Sequence, residues 1–365
     1  MRALEAYRDP GTVRALAEAI GRSATRPWRI MEVCGGQTHA IARYGLEDLL
    51  PAEVRLLHGP GCPVCVTPAE TLDRALALVR RPEVILCTYG DMLRVPGTGG
   101  HDLRQARAAG GDVRVVYSAL DALTVARSEP AREVVFLAVG FETTAPGHAM
   151  VAATARREGL ANLSLLVSHV LVPPALEAIA GDVPRAVDGF LAAGHVCAIM
   201  GIQAYQPLAA RYGVPIVVTG FEPVDILQGV LACVRQLEAG RAEVENAYTR
   251  VVPDAGNAAA QRLMAEVFVV SAQRWRGIGD LPASGLVLSP AYVGMDAARR
   301  FRLDPVDAEA IDPDGCRSGL VLLGRIKPTG CPHFATRCTP DTPLGATMVS
   351  SEGACAAYFR YRREA

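Results

Sequence analysis

The stretch LHGPGCPVCVTP, residues 57–68, carries two thiols on a turn. Glycine and proline punctuate it, which predicts a shaped turn rather than the interior of a helix or strand. Cys62 and Cys65 have the Cys-x-x-Cys spacing, at which two thiols can chelate one metal ion or close a small disulfide. We therefore expect the rest of the chain to be organised around this turn.

A third thiol occupies a similar place upstream. Cys34 lies in EVCGGQTH, residues 32–39, a glycine-rich turn that directly follows an apolar strand candidate. We expect Cys34, Cys62 and Cys65 to face one another. The sequence thus predicts that the protein presents these three thiols as one site.

Short apolar runs alternate with helical patterns through the first two thirds of the chain, which favours parallel sheets covered by helices. The predicted strands are Ile30–Val33, Val54–Leu57, Val84–Cys87, Val113–Tyr117, Val134–Val139, Leu163–Val167, Val196–Met200 and Pro215–Val218. The predicted helices include Thr12–Ala19, Thr71–Val79, Leu120–Ala126, Thr144–Glu158 and Val224–Leu237.

This alternation predicts an α/β fold with two successive parallel-sheet α/β domains around a cleft. The interruption Ser128-Glu129-Pro130 sets the boundary between the two domains. The predicted parts are an N-terminal helix in 1–27, a first α/β domain in 28–128 that holds Cys34, Cys62 and Cys65, a second in 129–273, and a cysteine-rich C-terminal domain in 274–365.

Four informative segments follow predicted strands. They are the Cys34 turn, the Cys62/Cys65 turn, the segment from Tyr89 to Gly100, and GFETT at 140–144. In open parallel sheets, ligands bind at the carboxyl ends of the strands. The sequence therefore predicts that the thiols lie in a cleft at this edge rather than in a core.

Composition limits the classes of function. The chain has 365 residues, 50% hydrophobic, and a formal net charge of -1, so nothing suggests nucleic acid or an anionic membrane as a partner. Apolar runs stay below the roughly 18 residues of a membrane span, and the N-terminus lacks the apolar core of a signal peptide. We expect a cytoplasmic protein.

Ten cysteines in a reducing compartment point to metal binding or redox chemistry rather than to structural disulfides. Cys87, Cys197 and Cys233 lie in apolar patterns and are interpreted as buried small hydrophobic residues. The other seven fall into two groups. One is the group Cys34, Cys62 and Cys65, and the second is Cys316, Cys331, Cys338 and Cys355.

The second group lies where strand–helix alternation fades, after about Arg274. A segment with few apolar runs and four spaced cysteines is most simply held together by a metal or a cluster. The spacings are longer and less even than those of zinc sites, which favours an iron–sulfur cluster. We therefore predict a C-terminal iron–sulfur domain.

The Cys62/Cys65 pair has two interpretations, and both can hold in different states. One is a redox disulfide of the thioredoxin type, and the other is thiolate ligation of a metal, which a nearby Cys34 favours. His39 could tune the Cys34 thiolate or carry a proton. Glu142 could act as an acid, a base or a partner of a helix N-terminus.

Together these segments resemble the HypD family of NiFe-hydrogenase maturation factors. The resemblance rests on EVCGGQTH at 32–39, HGPGCPVC at 58–65, YGDMLRVP at 89–96, GFETTAP at 140–146 and MVSSEGAC at 348–355. These motifs span nearly the whole chain in order. Ser318 and Thr347 depart from the pattern, because many relatives are expected to have further cysteines there.

The resemblance implies a scaffold on which the Fe(CN)2CO unit of the hydrogenase is assembled before delivery to its large subunit. It implies that mononuclear iron is held by Cys34 and one of Cys62 and Cys65, with HypC adding a thiolate and HypE donating cyanide. It also implies that Cys316, Cys331, Cys338 and Cys355 carry a 4Fe-4S cluster.

Two other classes compete with the scaffold. One is an iron–sulfur-dependent thiol–disulfide oxidoreductase that uses Cys62 and Cys65, and the other is a plain electron-transfer protein. The scaffold predicts redox activity within an assembly rather than a stand-alone enzyme. It also predicts a cleft open to solvent, with residues of the segment 89–96 on an apolar rim that binds HypC, so that a charged residue at Met92 or Leu93 would weaken this binding.

Overall fold

The computed structural model describes residues 5–303 and 315–362, so 1–4, 304–314 and 363–365 of the predicted parts lie outside it. Its strands form two sheets. The strands are β1 (Trp28–Glu32), β2 (Val54–His58), β3 (Val84–Thr88), β4 (Val113–Val115), β5 (Glu133–Gly140), β6 (Leu163–Val170), β7 (Gly189–Ala193), β8 (Ile216–Thr219), β9 (Val244–Asn246), β10 (Phe268–Trp275) and β11 (Gly279–Leu288).

Both sheets are predominantly parallel, which confirms the α/β class. The five-stranded sheet has the order β2-β1-β7-β8-β9, and all its pairs are parallel. The six-stranded sheet has the order β10-β11-β6-β5-β3-β4, with parallel pairs from β6 to β4. The hairpin β10–β11 joins its edge antiparallel to β6.

The predicted succession of the two α/β domains is wrong. The chain forms β1 and β2 of one sheet, passes through β3 to β6 of the other, and returns for β7 to β9. The predicted boundary at 128/129 falls between β4 and β5, which belong to the same sheet. The physical reason is that parallel pairing needs only a crossover, so a strand can pair with one far away in sequence.

One predicted strand is a helix. Val196–Met200 belongs to the helix Gly194–Met200, and the strand of this region is β7, with the sequence GFLAA. Its small residues reflect close packing, because a Cβ on Gly189 would lie 2.5 Å from the sulfur of Cys233. The hairpin β10–β11 was also not predicted, and much of β10 is solvent-exposed, as an edge strand can be.

Helices cover the sheets and connect parallel strands. They are α1 (Pro10–Ser23), α2 (Gly35–Tyr44), α3 (Leu46–Leu49), α4 (Pro63–Val66), α5 (Ala69–Val79), α6 (Leu103–Ala108), α7 (Asp121–Ser128), α8 (Ala145–Glu158), α9 (Val172–Ala180), α10 (Gly194–Met200), α11 (Gln206–Tyr212), α12 (Pro223–Glu238), α13 (Ala258–Val267), α14 (Ala297–Arg300), α15 (Ser318–Leu322) and α16 (Ala354–Tyr361). Short 3-10 turns include Gly90–Arg94 and Ala346–Met348.

Successive residues of the central strands enter different cores. In β1, Ile30 packs on one face of the five-stranded sheet and Met31 on the other, and both are fully buried. In β3, Leu86 and Cys87 divide in the same way between the two faces of the six-stranded sheet. Because both faces are covered, these strands have continuous apolar sequences instead of alternating ones.

The C-terminal part, 315–362, has little regular structure besides α15 and α16. The three cysteines interpreted as small hydrophobic residues, Cys87, Cys197 and Cys233, are fully buried, which confirms that interpretation. Within the ranges that the structure describes, none of the helices is both long and apolar enough to cross a membrane.

Candidate metal and redox site

The turns after β1 and β2 lie side by side because these strands pair in parallel, with Glu32 opposite His58. The Gly35 N–H donates to the Gly61 carbonyl at 2.9 Å, and the Gly59 N–H donates to the Glu32 carbonyl at 2.8 Å. A Cβ on Gly61 would lie 2.4 Å from the Cys34 backbone, so only glycine permits this approach. The predicted meeting of the Cys34 and Cys62/Cys65 turns is thus confirmed.

A buried carboxylate anchors the Cys34 turn. Glu32 is fully buried, and its Oε2 accepts the Cys34 N–H at 2.8 Å. Its Oε1 accepts the Thr38 hydroxyl and lies 2.7 Å from Nδ1 of His58. Three donors around one carboxylate offset the cost of burying it and fix the backbone at Cys34.

Cys34 occupies the N-cap of α2. Burial is the main influence on its thiol and raises its pKa, while the backbone N–H groups of Gln37 and Gly36 at the start of the helix oppose the rise. The helix dipole favours negative charge at the same place. The Cys34 thiol is thus neutral in this structure, and the start of the helix provides groups that would stabilise its thiolate.

His195, which the sequence analysis did not single out, lies beside the reactive sulfur. Its Nδ1 is 3.6 Å from the Cys34 sulfur, and burial lowers the pKa of His195 to about 4. His195 follows β7 and lies at the start of α10. The sequence predicted a strand at 196–200 instead of this helix, and His195 was therefore not assigned to the end of a strand. A neutral imidazole beside a buried thiol is a proton acceptor.

His39 contacts the C-terminal segment. Its Nδ1 is 3.3 Å from the Ser351 carbonyl, and its Nε2 is 3.2 Å from the Tyr361 hydroxyl. Both ring nitrogens are therefore engaged away from the Cys34 sulfur. The proposed role of His39 in tuning the thiolate stays a prediction.

The C-terminal segment covers the thiols, and the expectation of an open cleft is wrong. A Cβ on Gly35 would lie 2.4 Å from the Cβ of Glu352, and one on Gly353 would lie 3.0 Å from the sulfur of Cys65. Cys34 is only 1% exposed and Cys62 and Cys65 are each 2% exposed. Glycines on both surfaces allow the segment to pack directly onto the turns, which the sequence alone did not reveal.

The predicted apolar rim also differs. Met92 is fully buried in the core of the six-stranded sheet, so its placement on an open rim is wrong, and Leu93 is half-buried. Arg94, in the same 3-10 turn, donates to the carbonyls of Pro340 and Val349 at 3.2 and 2.9 Å. The 3-10 turn Gly90–Arg94 therefore contacts the C-terminal part of the chain instead of forming an open surface.

Cys62 and Cys65 form a compact reduced pair. Cys62 is the N-cap of α4, and its sulfur accepts the Cys65 N–H at 3.3 Å. Burial raises the pKa of Cys65 strongly, with the hydrogen bond to Cys62 and the charges of Cys62, Cys355 and Glu352 adding to the rise. Gly353, two residues before Cys355, packs against the Cys65 sulfur, so this pair adjoins the C-terminal segment.

Glu142 lies at the N-terminus of a helix that does not follow it in sequence. Its Oε1 accepts the Val172 N–H at 2.9 Å at the start of α9, and burial raises the pKa of Glu142 to about 7. Its charge also raises the pKa of the buried Tyr205, after burial itself and Cys197. Of the predicted alternatives, partnership with a helix N-terminus has a direct contact to support it.

The C-terminal thiols are neighbours in a partly apolar environment. Burial raises the pKa of Cys355 to about 12, the Thr347 hydrogen bond opposes the rise, and the charges of Cys316, Cys338 and Cys331 add to it. We call this set the tail site (Cys316, Cys331, Cys338 and Cys355), and we call the Cys34, Cys62 and Cys65 turns the strand-end site.

Hydrogen bonds to sulfur occur at Cys338 and Cys355 of the tail site. The Leu344 N–H donates to the Cys338 sulfur at 3.4 Å, and the Thr347 hydroxyl donates to the Cys355 sulfur at 3.2 Å. Thr347 and Ser318, the two departures from the family pattern, both belong to this neighbourhood, since Ser318 and the Cys316 sulfur flank Gly345. Four thiols with such donors match the chemistry of an iron–sulfur cluster.

Neither site is preassembled around a metal. Within residues 5–303 and 315–362, no three His, Cys, Asp or Glu side chains converge as a metal-binding group. None of the ten cysteines, all within these ranges, forms a disulfide. The assignments of iron to the strand-end site and of a 4Fe-4S cluster to the tail site stay predictions.

Comparisons with known proteins agree with the sequence motifs. The HypD family model, described as "Hydrogenase formation hypA family", matches residues 11–362. The hydrogenase maturation factor HypD of Azotobacter vinelandii is 49% identical, covering 100% of this chain and 98% of the relative. HypD of Escherichia coli (strain K12) is 46% identical, covering 100% and 99%. The chain therefore belongs to the HypD family of hydrogenase maturation factors.

Proposed function

We propose that the protein is the scaffold on which the Fe(CN)2CO unit of a NiFe-hydrogenase is assembled, with iron as its cargo at the strand-end site. The observation that carries this proposal is the Cys34 sulfur at 3.6 Å from His195, buried at the carboxyl ends of two parallel strands. A soft thiolate suits an iron that binds strong-field ligands such as cyanide and carbon monoxide.

Loading of iron requires a proton to leave Cys34. When the Fe–S bond forms, the S–H bond breaks, and Nδ1 of the neutral His195 imidazole, 3.6 Å from the sulfur, accepts the proton. The Gly36 and Gln37 N–H groups at the start of α2 then favour a charged sulfur. A metal keeps a coordinated thiol deprotonated, which offsets the effect of burial on its pKa.

Cys62 or Cys65 supplies the second protein thiolate in this proposal, and the small partner HypC supplies a further one. HypE donates the cyanide groups, and the large subunit of the hydrogenase receives the finished unit. The burial of Cys34 implies that access requires displacement of the segment around Glu352 and Gly353, which packs on the turn. Binding of HypC at this segment would couple opening to loading.

The tail site would hold a 4Fe-4S cluster through Cys316, Cys331, Cys338 and Cys355. Such a cluster supplies single electrons. A Cβ on Gly353, two residues before Cys355, would lie 3.0 Å from the Cys65 sulfur, and this proximity supports electron exchange between the tail site and the Cys62/Cys65 pair. Reduction of a Cys62–Cys65 disulfide takes two electrons and two protons and returns the two thiols.

The test is an infrared spectrum of the chain co-purified with HypC after co-expression with HypE. The scaffold predicts absorption bands in the cyanide and carbonyl stretching regions. A preparation that contains iron and the partner but lacks these bands would contradict the proposal.

An iron–sulfur-dependent thiol–disulfide oxidoreductase is the second candidate. The position of Cys62 at a helix N-terminus, with its sulfur accepting the Cys65 N–H, favours redox chemistry at this pair. Burial of both thiols opposes attack on an external disulfide. Turnover of a dithiol substrate by a variant that lacks Cys34 would favour this candidate over the scaffold.

A further inference from the structure

A continuous chain of hydrogen bonds joins the C-terminal helix α16 to the strand-end site. The sole lysine of the protein, Lys327, donates through Nζ to Oε1 of Glu47 at 2.6 Å. The Tyr358 hydroxyl donates to Oε2 of the same carboxylate at 2.5 Å and lies 2.9 Å from Nε2 of His58. Nδ1 of His58 lies 2.7 Å from Glu32, which binds the backbone of Cys34.

The protons of this chain can be assigned from its acceptors. Ionised carboxylates only accept, so the single Tyr358 proton goes to Glu47 and the tyrosine oxygen accepts from Nε2 of His58. Nδ1 of His58 faces Glu32, so the ring is held between the Tyr358 oxygen and the Glu32 carboxylate. Every polar group of the chain is satisfied in this arrangement, which is the condition for a stable buried network.

Glu47 is electrostatically suited to its place. Burial acts to raise its pKa, but the charge of His58 and the hydrogen bonds from Lys327 and Tyr358 together outweigh burial and lower the pKa. The carboxylate thus stays ionised and orients the Tyr358 hydroxyl. His58 also meets the Tyr358 ring edge-on, with ring centroids 5.2 Å apart, which restricts both side chains.

We propose that Tyr358 is a positioning residue for the Cys34 turn. It holds His58, His58 holds Glu32, and Glu32 holds the Cys34 N–H and the Thr38 hydroxyl. The inference rests on the proposed function in taking Cys34 as the working thiol. Its test measures the geometry of the turn alone, so either proposal can fail without the other.

Arg362, which follows the last residue of α16, forms a second tether that provides a matched control. The Arg362 guanidinium pairs with Asp48, which neighbours Glu47 in α3 but has a side chain that is 61% exposed. This ion pair links the end of α16 to α3. Neither of its two side chains is a member of the series of hydrogen bonds that ends at Glu32. If docking of α16 were all that mattered, loss of either tether would affect Cys34 alike.

The experiment compares thiol alkylation in the full chain under anaerobic, reducing conditions. Iodoacetamide labelling of Cys34 and Cys233 is followed by peptide mass spectrometry, with Cys233, fully buried against the five-stranded sheet, reporting on global opening. In Tyr358→Phe, Cys34 is expected to react about fivefold faster, equivalent to roughly 1 kcal/mol for loss of the buried hydrogen bond to His58, the one of the two Tyr358 bonds that leads to the Cys34 turn. Cys233 is expected to react at the wild-type rate.

Asp48→Asn is the control and should leave both rates unchanged. Equal acceleration of Cys34 and Cys233 in Tyr358→Phe would overturn the proposal, because it would indicate a general loss of stability. Acceleration of Cys34 by Asp48→Asn as large as that by Tyr358→Phe would overturn it too, as would an unchanged Cys34 rate in Tyr358→Phe.

A double-mutant cycle tests whether Tyr358 acts through His58. If it does, Tyr358→Phe should accelerate Cys34 labelling less in a His58→Gln background than in the wild type, since the link is already broken. Additive effects would overturn the route through His58. Should His58→Gln fail to fold, the comparison of Tyr358→Phe with Asp48→Asn decides the matter.

Discussion

The strand-end site and the tail site are both groups of cysteines, but different forces hold them. The strand-end turns extend from the buried five-stranded sheet and are joined by backbone hydrogen bonds and by Glu32. The tail site lies in a segment with short helices and 3-10 turns and a small apolar cluster around Met348. The difference teaches that the strand-end site should keep its geometry without metal, whereas the tail site should depend on metal for its order.

The largest expected effect is that of Cys34→Ala. Loss of a ligand should reduce hydrogenase maturation by about 100-fold or more, since even partners of metal ligands are worth 10–100-fold. The free energy of unfolding should fall by only about 1 kcal/mol, because one small side chain is removed from a site held by other contacts. Maturation assays and denaturant unfolding measure the two effects.

Cys87→Ala is the control, since Cys87 is equally buried but lies in the other sheet. It should leave maturation at the wild-type level. A Cys34→Ala variant that still matures hydrogenase would contradict the role of Cys34 as a ligand. One that unfolds would contradict the claim that the strand-end site keeps its geometry without metal.

Cys338→Ala should have the opposite pattern. We expect loss of the broad visible absorption of an iron–sulfur cluster and rapid proteolysis within 315–362, because the segment has little core of its own. Thr339→Ala, at the neighbouring position, should retain the absorption. Anaerobically prepared wild-type protein that contains zinc and no labile sulfide would contradict the cluster assignment.

Gly61→Ala tests whether close packing of the two turns holds the strand-end site together. The new methyl group would lie 2.4 Å from the Cys34 backbone, so the two turns must separate. Overpacking of this kind should cost about 3 kcal/mol of unfolding free energy. Gly147→Ala, on the exposed side of α8 with nothing within 4 Å, should be neutral or stabilising. Equal stability of the two variants would show that the turns are not tightly joined.

Glu142→Gln should have the smallest effect, and a pH-dependent one. The pKa of Glu142 is raised to about 7 in the folded chain, so the folded state binds more protons than the unfolded state between pH 5 and 8. Ionisation of Glu142 therefore lowers the free energy of unfolding as the pH rises, by about 2 kcal/mol over this range. The glutamine variant should lack this component in unfolding measured at pH 5 and pH 8, and an unchanged pH profile would contradict the buried carboxyl.

Local patterns predicted much of the strand-end site. The apolar runs at β1 and β2, each followed by a glycine-rich turn with cysteine, correctly place Cys34 near Cys62 and Cys65. The rule that parallel strands end at one edge was sufficient, because both turns are short. Most of the predicted helices and strands also occur, with ends shifted by a few residues.

Features that depend on distant parts of the chain could not be predicted. β7 begins with Gly189 because α12 packs closely against it there, and without β7 the position of His195 was missed. The cover over the thiols depends on Gly35 and Gly353, which meet the opposing segment from positions far apart in sequence. The interleaving of the two sheets likewise reflects pairing partners that no local pattern encodes.

The most direct test of the central claim, that Cys34 carries the iron unit, is infrared spectroscopy of two variants co-purified with HypC. Cys87→Ala should keep the bands of the cyanide and carbonyl stretching regions at wild-type intensity. Cys34→Ala should lack them, while the visible absorption assigned to the tail site remains. Cyanide and carbonyl bands of wild-type intensity in Cys34→Ala would contradict the account.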